Sequence, residues 1–158
     1  MQRVPMTPEG HAQLQKELKY LKEIKRHQIV ADIEEAIAHG DLSENSEYDD
    51  AKERQGHCEG RIMELEGKLA ACEIIDPKKL QNDGRVIFGT TVVLEEDEAE
   101  HEVRYKIVGE DEADPKRGSV SVTSPIARAL IGKECDDEVE FRAPGGMRRY
   151  VITDVIYE

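Results

Sequence analysis

Tyr48–Cys72, YDDAKERQGHCEGRIMELEGKLAAC, decides the fold. Along it Tyr48, Ala51, Gln55, Cys58, Ile62, Leu65, Leu69 and Cys72 recur at alternating steps of three and four, with charged residues between them. That spacing is a coiled-coil seam sustained over more than three heptads. Cys58 and Cys72 fall on the seam and read there as small apolar knobs rather than redox groups. Pro77 stops the pattern. A seam needs a partner, and the chain supplies one upstream. Thr7, Pro8 and Glu9 are an N-cap, a proline at the first helical position and an acid in the first turn, which together predict a helix start. Leu14, Leu18 and Leu21 then recur, as do Val30, Ile33 and Ile37, with Ile24 bridging a slip in phase between the two sets. Gly40, after His39, supplies the stop.

Two helices of about 30 residues joined by a short connection must run antiparallel, because a few residues cannot carry the chain back to its starting end. At about 1.5 Å per residue the hairpin projects roughly 45 Å, a probe with little besides itself to bury its seam. After Pro77 the periodicity changes. Arg85–Phe88, Thr91–Leu94, Val103–Val108, Ser119–Thr123, Glu138–Phe141 and Tyr150–Ile156 are short, rich in β-branched and aromatic residues, and punctuated by Gly and Pro. Between two of them, SPIARALIGK from Ser124 to Lys133 reads as a capped helix of about two turns ending at Gly132. Pro144–Gly146 reads as a turn. The expected class is α+β: an antiparallel coiled-coil hairpin over 1–76 with its tip at 40–53, a linker over 77–81, and a small antiparallel-sheet domain with one short helix over 82–158.

Composition narrows the setting. The net charge is −13 and 38% of residues are hydrophobic, with no Trp, as in one or two soluble domains with modest cores. No apolar run approaches the roughly 20 residues of a membrane span, and MQRVPMTPEG lacks the apolar centre of a signal peptide, so a cytoplasmic location with no membrane partner is expected. Cys58, Cys72 and Cys135 are an odd set without CxxC spacing, which signals neither a disulfide framework nor a zinc site. Acid exceeds base in both halves, and free nucleic acid would not be held by charge alone. Lys16, Lys19, Lys22, Lys25 and Arg26 crowd the first helix and read singly as a solvated face.

The tip, GDLSENSEYDDAKE from Gly40 to Glu53, carries Asp41, Glu44, Glu47, Asp49, Asp50 and Glu53. Asp41 and Glu44 stand in the D-x-x-E spacing of a capping box, and acids at a helix N-terminus are favoured by the macrodipole. That reading covers two of the six acids, and the rest ask for a cation. Zinc would want Cys and His, and the D-x-D-x-D-G loop of a calcium site is missing. Magnesium keeps several waters and is held by one or two carboxylates together with substrate phosphates, so two tip acids could supply half a site completed by a partner. His39 could act as a general base, or simply lie at the helix stop as a surface or capping residue.

The tip GDLSENSEYDDAKE, the helix before it, NDGRVIFG at 82–89, VGEDEAD at 108–114 and SPIARALIGK with its downstream PGG together resemble the bacterial transcript cleavage factors of the Gre family, over the whole chain. The resemblance implies a second domain similar in fold to FK506-binding proteins that docks on the rim of the RNA polymerase secondary channel. It implies a hairpin that enters the channel. It makes Asp41 and Glu44 the acids that help hold a second Mg2+, shared with RNA polymerase and not bound stably by the chain alone, and that position the attacking water on backtracked RNA. Lys52 and Arg54 would steady the RNA 3′ end, with pairing to neighbouring acids as the competing role. Ser124, Pro125 and Ile126 would touch polymerase, with capping and core packing as the competing roles. The expected protein is a monomer and not itself an enzyme. A channel-binding inhibitor without cleavage activity is the alternative. A prolyl isomerase would need an apolar aromatic pocket, for which residues 77–158 offer only Phe88, Tyr105, Phe141, Tyr150 and Tyr157. A coiled-coil chaperone would explain the hairpin but not the acid at its tip.

Overall fold

The computed structural model describes residues 3–41, 45–96 and 101–158, with the side chain of Ala143 excepted. They form two units, His11–Cys72 and a second made of Arg3–Gly10 with Glu73–Glu158. Together they give an α+β fold. Among the described residues no helix is long and apolar enough to cross a membrane.

The first unit is the hairpin. Its first arm is α1 (Pro8–Tyr20), a π-helical turn at Leu21–Lys25 and α2 (Arg26–Ala38); its second arm is α3 (Ser46–Ala71). On α3 the buried residues are Ala51, Cys58, Ile62 and Leu65, with Tyr48, Gln55, Leu69 and Cys72 half-buried beside them, as the heptad spacing predicts. The first arm departs from the expected phase. Leu14, Leu21, Ile29 and Ala36 are buried, whereas Val30 and Ile37 are 39% and 49% exposed. The π turn is the cause. It takes one residue more than an α turn, so every later inward position moves on by one, and the step from Leu21 to Ile29 is eight where its neighbours are seven. Ile24, inside the turn, is exposed.

Ion pairs across the hairpin fix its register. Arg61 meets Glu17 at 2.8 and 3.0 Å, Arg26 meets Glu59 at 2.7 Å through two nitrogens, and Arg54 meets Asp32 at 3.0 Å. From Arg26–Glu59 to Asp32–Arg54 the numbers rise on one arm as they fall on the other, as antiparallel arms require. The Arg61 hydrogen bonds hold the Glu17 carboxyl below its usual range, and Arg26 does the same for Glu59. These groups are largely solvated, so each pair contributes modestly to stability and chiefly selects the register.

The second unit opens with β1 (Val4–Met6), which pairs with β2 (Cys72–Ile74) in a two-stranded sheet. Neither strand is visible in the sequence, because three residues are too few to show a period of two. Thr7 caps α1 by accepting from Gly10 N at 3.1 Å, and the Glu112 carboxylate accepts from Thr7 N, the Thr7 hydroxyl and Gly109 N. Pro77–Lys79 is a single 3-10 turn capped by Asp76, and Pro77 is buried against Gly89.

The five-stranded sheet has the order β5-β4-β3-β7-β6, with β3 at Thr91–Glu96, β4 at Glu102–Val108, β5 at Ser119–Ser121, β6 at Glu138–Ala143 and β7 at Gly146–Ile156. It is mixed where the strand pattern predicts an antiparallel sheet: β5 runs parallel to β4, paired from Lys106↔Ser119 to Val108↔Ser121. The connection Gly109–Gly118 reverses the chain twice before β5 begins, using a 3-10 turn at Pro115–Arg117 and Gly118 at φ +83°. Arg85–Phe88 is not a strand either. Arg85 forms an isolated bridge with Glu134, and the segment is apolar because Val86 and Phe88 fill the core. The PGG turn is tight, with Ala143 paired to Gly146, so β7 starts at Gly146 rather than Tyr150. Val92, Leu94, Ile107 and Ile152 on the sheet pack with Ala127 and Leu130 of α4 (Pro125–Leu130).

The shifted phase of the first arm predicts unequal losses from neighbouring truncations. Ile29→Ala should cost about 2–4 kcal/mol in urea denaturation of the full chain, and Val30→Ala less than about 1. A larger loss at Val30 would put the seam back on the face that the apolar recurrence of Val30, Ile33 and Ile37 selects.

Candidate functional site

The end of the hairpin is built by two helix termini that share one side chain. α2 closes at Ala38. His39 N donates to Ala36 O and Gly40 N to Ile37 O, both at 3.2 Å, and Gly40 turns the chain at φ +115°, a conformation that L side chains rarely adopt. Asp41 follows, exposed and outside any helix. Glu44 lies outside the described residues. α3 begins at Ser46, and its N-cap is Asn45: the Asn45 Oδ1 accepts from Tyr48 N at 3.1 Å, while its Nδ2 donates to Ala36 O at 2.6 Å. This is the orientation in which both ends of the amide find a complementary partner.

The N-cap of α3 is thus Asn45, the residue directly before the first helical one. The capping box expected of Asp41 and Glu44 falls on residues 42–44 and lies outside the described residues. The signal for Asn45 was present in the sequence, in an Asn followed by the first-turn acids Glu47 and Asp49. The D-x-x-E spacing at Asp41 masked it.

Most of the remaining tip acids find ordinary partners. Glu47 meets His39 Nδ1 at 3.0 Å, Asp50 meets Arg54 at 3.1 Å, Glu53 lies 3.7 Å from His57, and Asp49 sits in the first turn of α3, where the macrodipole favours it. The cluster of like charge thus asks for a cation less than its composition suggests. Among the described residues no group of three or more His, Cys, Asp or Glu is arranged to hold a metal ion.

The expected RNA-contacting pair separates. Arg54 reaches Asp32 on α2 and Asp50 on its own helix, and the hydrogen bond to Asp32, with that to Asp50, pushes its pKa above the usual arginine range. Arg54 is thus engaged as an interhelical tie. Lys52 is exposed and donates to the neutral amide of Gln55 at 2.9 Å, so no carboxylate engages its ammonium in that bond. A shallow recess of about 300 Å³ opens beside this tie, between Glu35, His39, Glu47 and Arg54.

In the second unit Ser124 caps α4, accepting from Ala127 N at 3.3 Å and donating to Ser121 O at 2.6 Å. Pro125 takes the first helical position and is exposed; Ile126 packs partly against the core. Of the three residues expected to touch a partner, Pro125 alone has no role inside the core or the cap.

Two family models described as transcription elongation factor domains match the chain. The N-terminal domain matches residues 4–74 and the C-terminal domain of GreA/GreB matches 81–157. The chain belongs to the GreA/GreB family of transcription elongation factors. It is 57% identical over 158 residues to the transcription elongation factor GreA of Psychrobacter arcticus and 58% identical to that of Hyphomonas neptunium, covering 100% of each chain. Among solved structures it is similar to GreA factor homolog 1 (Gfh1) of Thermus thermophilus, with 24% identity, 98% of this chain and 99% of that one covered, and a TM-score of 0.44.

Within this Gre-family hairpin the cap assignment has a direct thermodynamic consequence. Asn45→Ala should lower stability by about 1 kcal/mol or somewhat more, and Asn45→Asp, which keeps a capping oxygen, by clearly less, when both are melted as full chains. Equal losses would remove Asn45 from the cap.

Proposed function

We propose that this elongation factor stimulates cleavage of backtracked nascent RNA by RNA polymerase, with the hairpin entering the secondary channel and the tip delivering Asp41 and Glu44 to the catalytic centre. The observation that carries the reading is the family match along both halves of the chain, with Asp41 exposed just beyond the end of α2. The chemistry of the donor set fits half of a magnesium site. An exposed carboxylate at a helical turn is the hard oxygen donor that Mg2+ accepts alongside waters and phosphate oxygens, and the described residues build no cage of their own. A second Mg2+ bound there with polymerase would activate water for attack on the phosphodiester. What the chain itself supplies is negative charge at Asp41 and Glu44, held on a stiff arm and withdrawn when the factor leaves. Catalysis then belongs to polymerase, the factor acting in trans as a cytoplasmic monomer. Lys52 is the better placed of the two bases to meet the RNA 3′ end, since Arg54 is tied to Asp32 and Asp50.

The experiment uses stalled, backtracked elongation complexes with magnesium present. Wild-type protein should release short 3′ fragments, while Asp41→Asn and Glu44→Gln should lose most of that stimulation at unchanged melting temperature and polymerase affinity, with partial recovery at raised magnesium. Asn keeps a side-chain oxygen that accepts a hydrogen bond as Asp does, so Asp41→Asn removes the charge and spares a cap. Binding without cleavage by the wild type would instead mark an inhibitor of the channel.

Docking is assigned to the start of α4, where Ser124 and Ile126 hold the exposed ring of Pro125 outward. Pro125→Glu tests it in the full chain, because an acid at the first helical position suits the helix dipole and should spare the fold. Polymerase affinity should fall about tenfold or more, the effect of burying an unpaired charge at an interface. Unchanged affinity would remove this segment from the docking surface.

A further inference from the structure

The two flanks of the hairpin are built differently. On α3, Arg54 and Arg61 stand a heptad apart on one side of the buried seam, and Glu59 and Glu66 stand a heptad apart on the other. Along the first flank ion pairs continue to the end of the arms: Arg61 with Glu17, Arg54 with Asp32, and His39 with Glu47. Along the second, Lys22 meets Glu66 at 2.6 Å and Arg26 meets Glu59 at 2.7 Å, and among the described residues the ladder stops there. Both helices run on unbroken, so the next rung can be counted. One heptad on from Arg26 is Ile33, and one heptad back from Glu59 is Lys52. An aliphatic side chain and a cation stand where the ladder would place an ion pair.

The change extends along the face. Val30, Ile33 and Ile37 lie three and four apart on the row that Arg26 begins, and so share one side of α2. Val30 and Ile37 are 39% and 49% exposed, and Ile33 is half-buried beside the seam. The facing row of α3 is Gln55, Lys52 and Tyr48, none of them acidic, and Lys52 donates to the neutral Gln55 amide. Closure of the seam does not require Val30 or Ile37, because Ile29 and Ala36 fill the inward positions. In a chain of net charge −13, this half of one flank is an exposed aliphatic ridge with a single cation at its edge.

We propose that this face docks one amphipathic helix of RNA polymerase, with aliphatic residues against Val30, Ile33 and Ile37 and a carboxylate against Lys52. Shape and charge select that occupant. A ridge of branched aliphatic side chains beside a two-helix seam interdigitates with a third helix. Nucleobases are instead held on aromatic or guanidinium planes, and the one aromatic ring here, Tyr48, is half-buried. A lone lysine with Asp49 and Glu53 near it on α3 would not hold an extended polyanion, but it complements one carboxylate presented on an apolar face. The ammonium has three donors and Gln55 takes one, so a partner carboxylate still leaves Lys52 able to meet the RNA end. The inference rests on the reading that the hairpin enters polymerase and is independent of the role of Asp41 in cleavage.

Binding is measured with full-length protein and purified polymerase free of nucleic acid. Val30→Gln combined with Ile37→Gln removes the apolar surface and leaves good helix formers at exposed positions, so the melting temperature should hold while the Kd rises about tenfold. At position 37, Ile37→Glu should weaken binding several-fold more than Ile37→Lys, with the gap closing at raised salt, because the facing helix carries an acid. A benzophenone amino acid in place of Ile37 should, on illumination of backtracked complexes, join a polymerase peptide whose aliphatic residues recur at three and four with an acid among them. An unchanged Kd in the double variant, or Ile37→Lys binding no better than Ile37→Glu, overturns the docking face. Adducts formed only with RNA, or with a second copy of the factor, overturn the choice of occupant. Should the double variant melt early, the comparison at position 37 and the adduct decide the matter without it. Wild-type protein that fails to bind polymerase at all overturns the reading that the hairpin enters it, and the docking face falls with that reading; equal binding by wild type and variants overturns the face alone.

Discussion

Everything at the working end of this protein depends on a thin apolar seam. Leu14, Leu21, Ile29 and Ala36 on one arm and Ala51, Cys58, Ile62 and Leu65 on the other are the buried apolar residues of the hairpin. Such a seam buries far less area than a globular core, so cohesion must come from regular interdigitation along its length. Its members shrink toward the turn, where Ala36 and Ala51 replace Leu and Ile. Small side chains let helix backbones come close, and a close approach is what allows the short Asn45 side chain to reach the Ala36 carbonyl. The packing that holds the arms together thereby also prepares the polar closure at their end.

A negative charge of −13 would work against such a structure if it were spread without order. The arms instead interleave signs: Glu17 with Arg61, Lys22 with Glu66, Arg26 with Glu59 and Asp32 with Arg54. Singly these solvated pairs contribute little. Jointly they penalise a sliding of one arm past the other, because a shift of one turn would break the pairs and set Glu17 against Glu64 in one direction or Asp32 against Asp50 in the other. The lysines and arginines of the first helix, which read singly as a solvated face, are in part this register code. Arg54 is part of this code, since the guanidinium that bridges Asp32 and Asp50 is held to the hairpin, while Lys52, two residues before it, donates to the neutral amide of Gln55.

Which features could be read from the sequence follows from the range of the interactions that make them. The α3 seam was fully legible, because an uninterrupted heptad pattern is a local signal repeated many times. On the first arm the slip at Ile24 was visible, but its direction was not. Sequence spacing does not say whether a helix absorbs an extra residue by tightening or by widening, and the π turn at Leu21–Lys25 advances the inward positions from the strict heptad places Gln28 and Glu35 to Ile29 and Ala36, one short of the apolar Val30 and Ile37. In the second unit the strands β3, β4, β6 and β7 announced themselves by composition. The pairing of β5 parallel to β4, and of β1 with β2, depends on contacts between distant or very short segments, which no local pattern records. Val86 and Phe88 look like strand residues because burial selects the same side chains whether or not the backbone joins a ladder.

At the tip the same contrast separates charge from architecture. Composition located the acidic segment but overcounted its meaning, because partners such as His39, Arg54 and His57 lie on neighbouring turns or on the opposite arm. It also left Asn45 unread as the cap of α3, since two cap signals, Asp41 with Glu44 and Asn45 with its first-turn acids, lie within nine positions. The geometry resolves the competition through a requirement invisible in one helix alone. The residue before α3 answers to the end of α2 as well, and the Asn45 amide does so with an acceptor and a donor on two separate atoms. That constraint places a neutral side chain, Asn45, where the two helices meet, so the start of α3 does not depend on a charge at its cap.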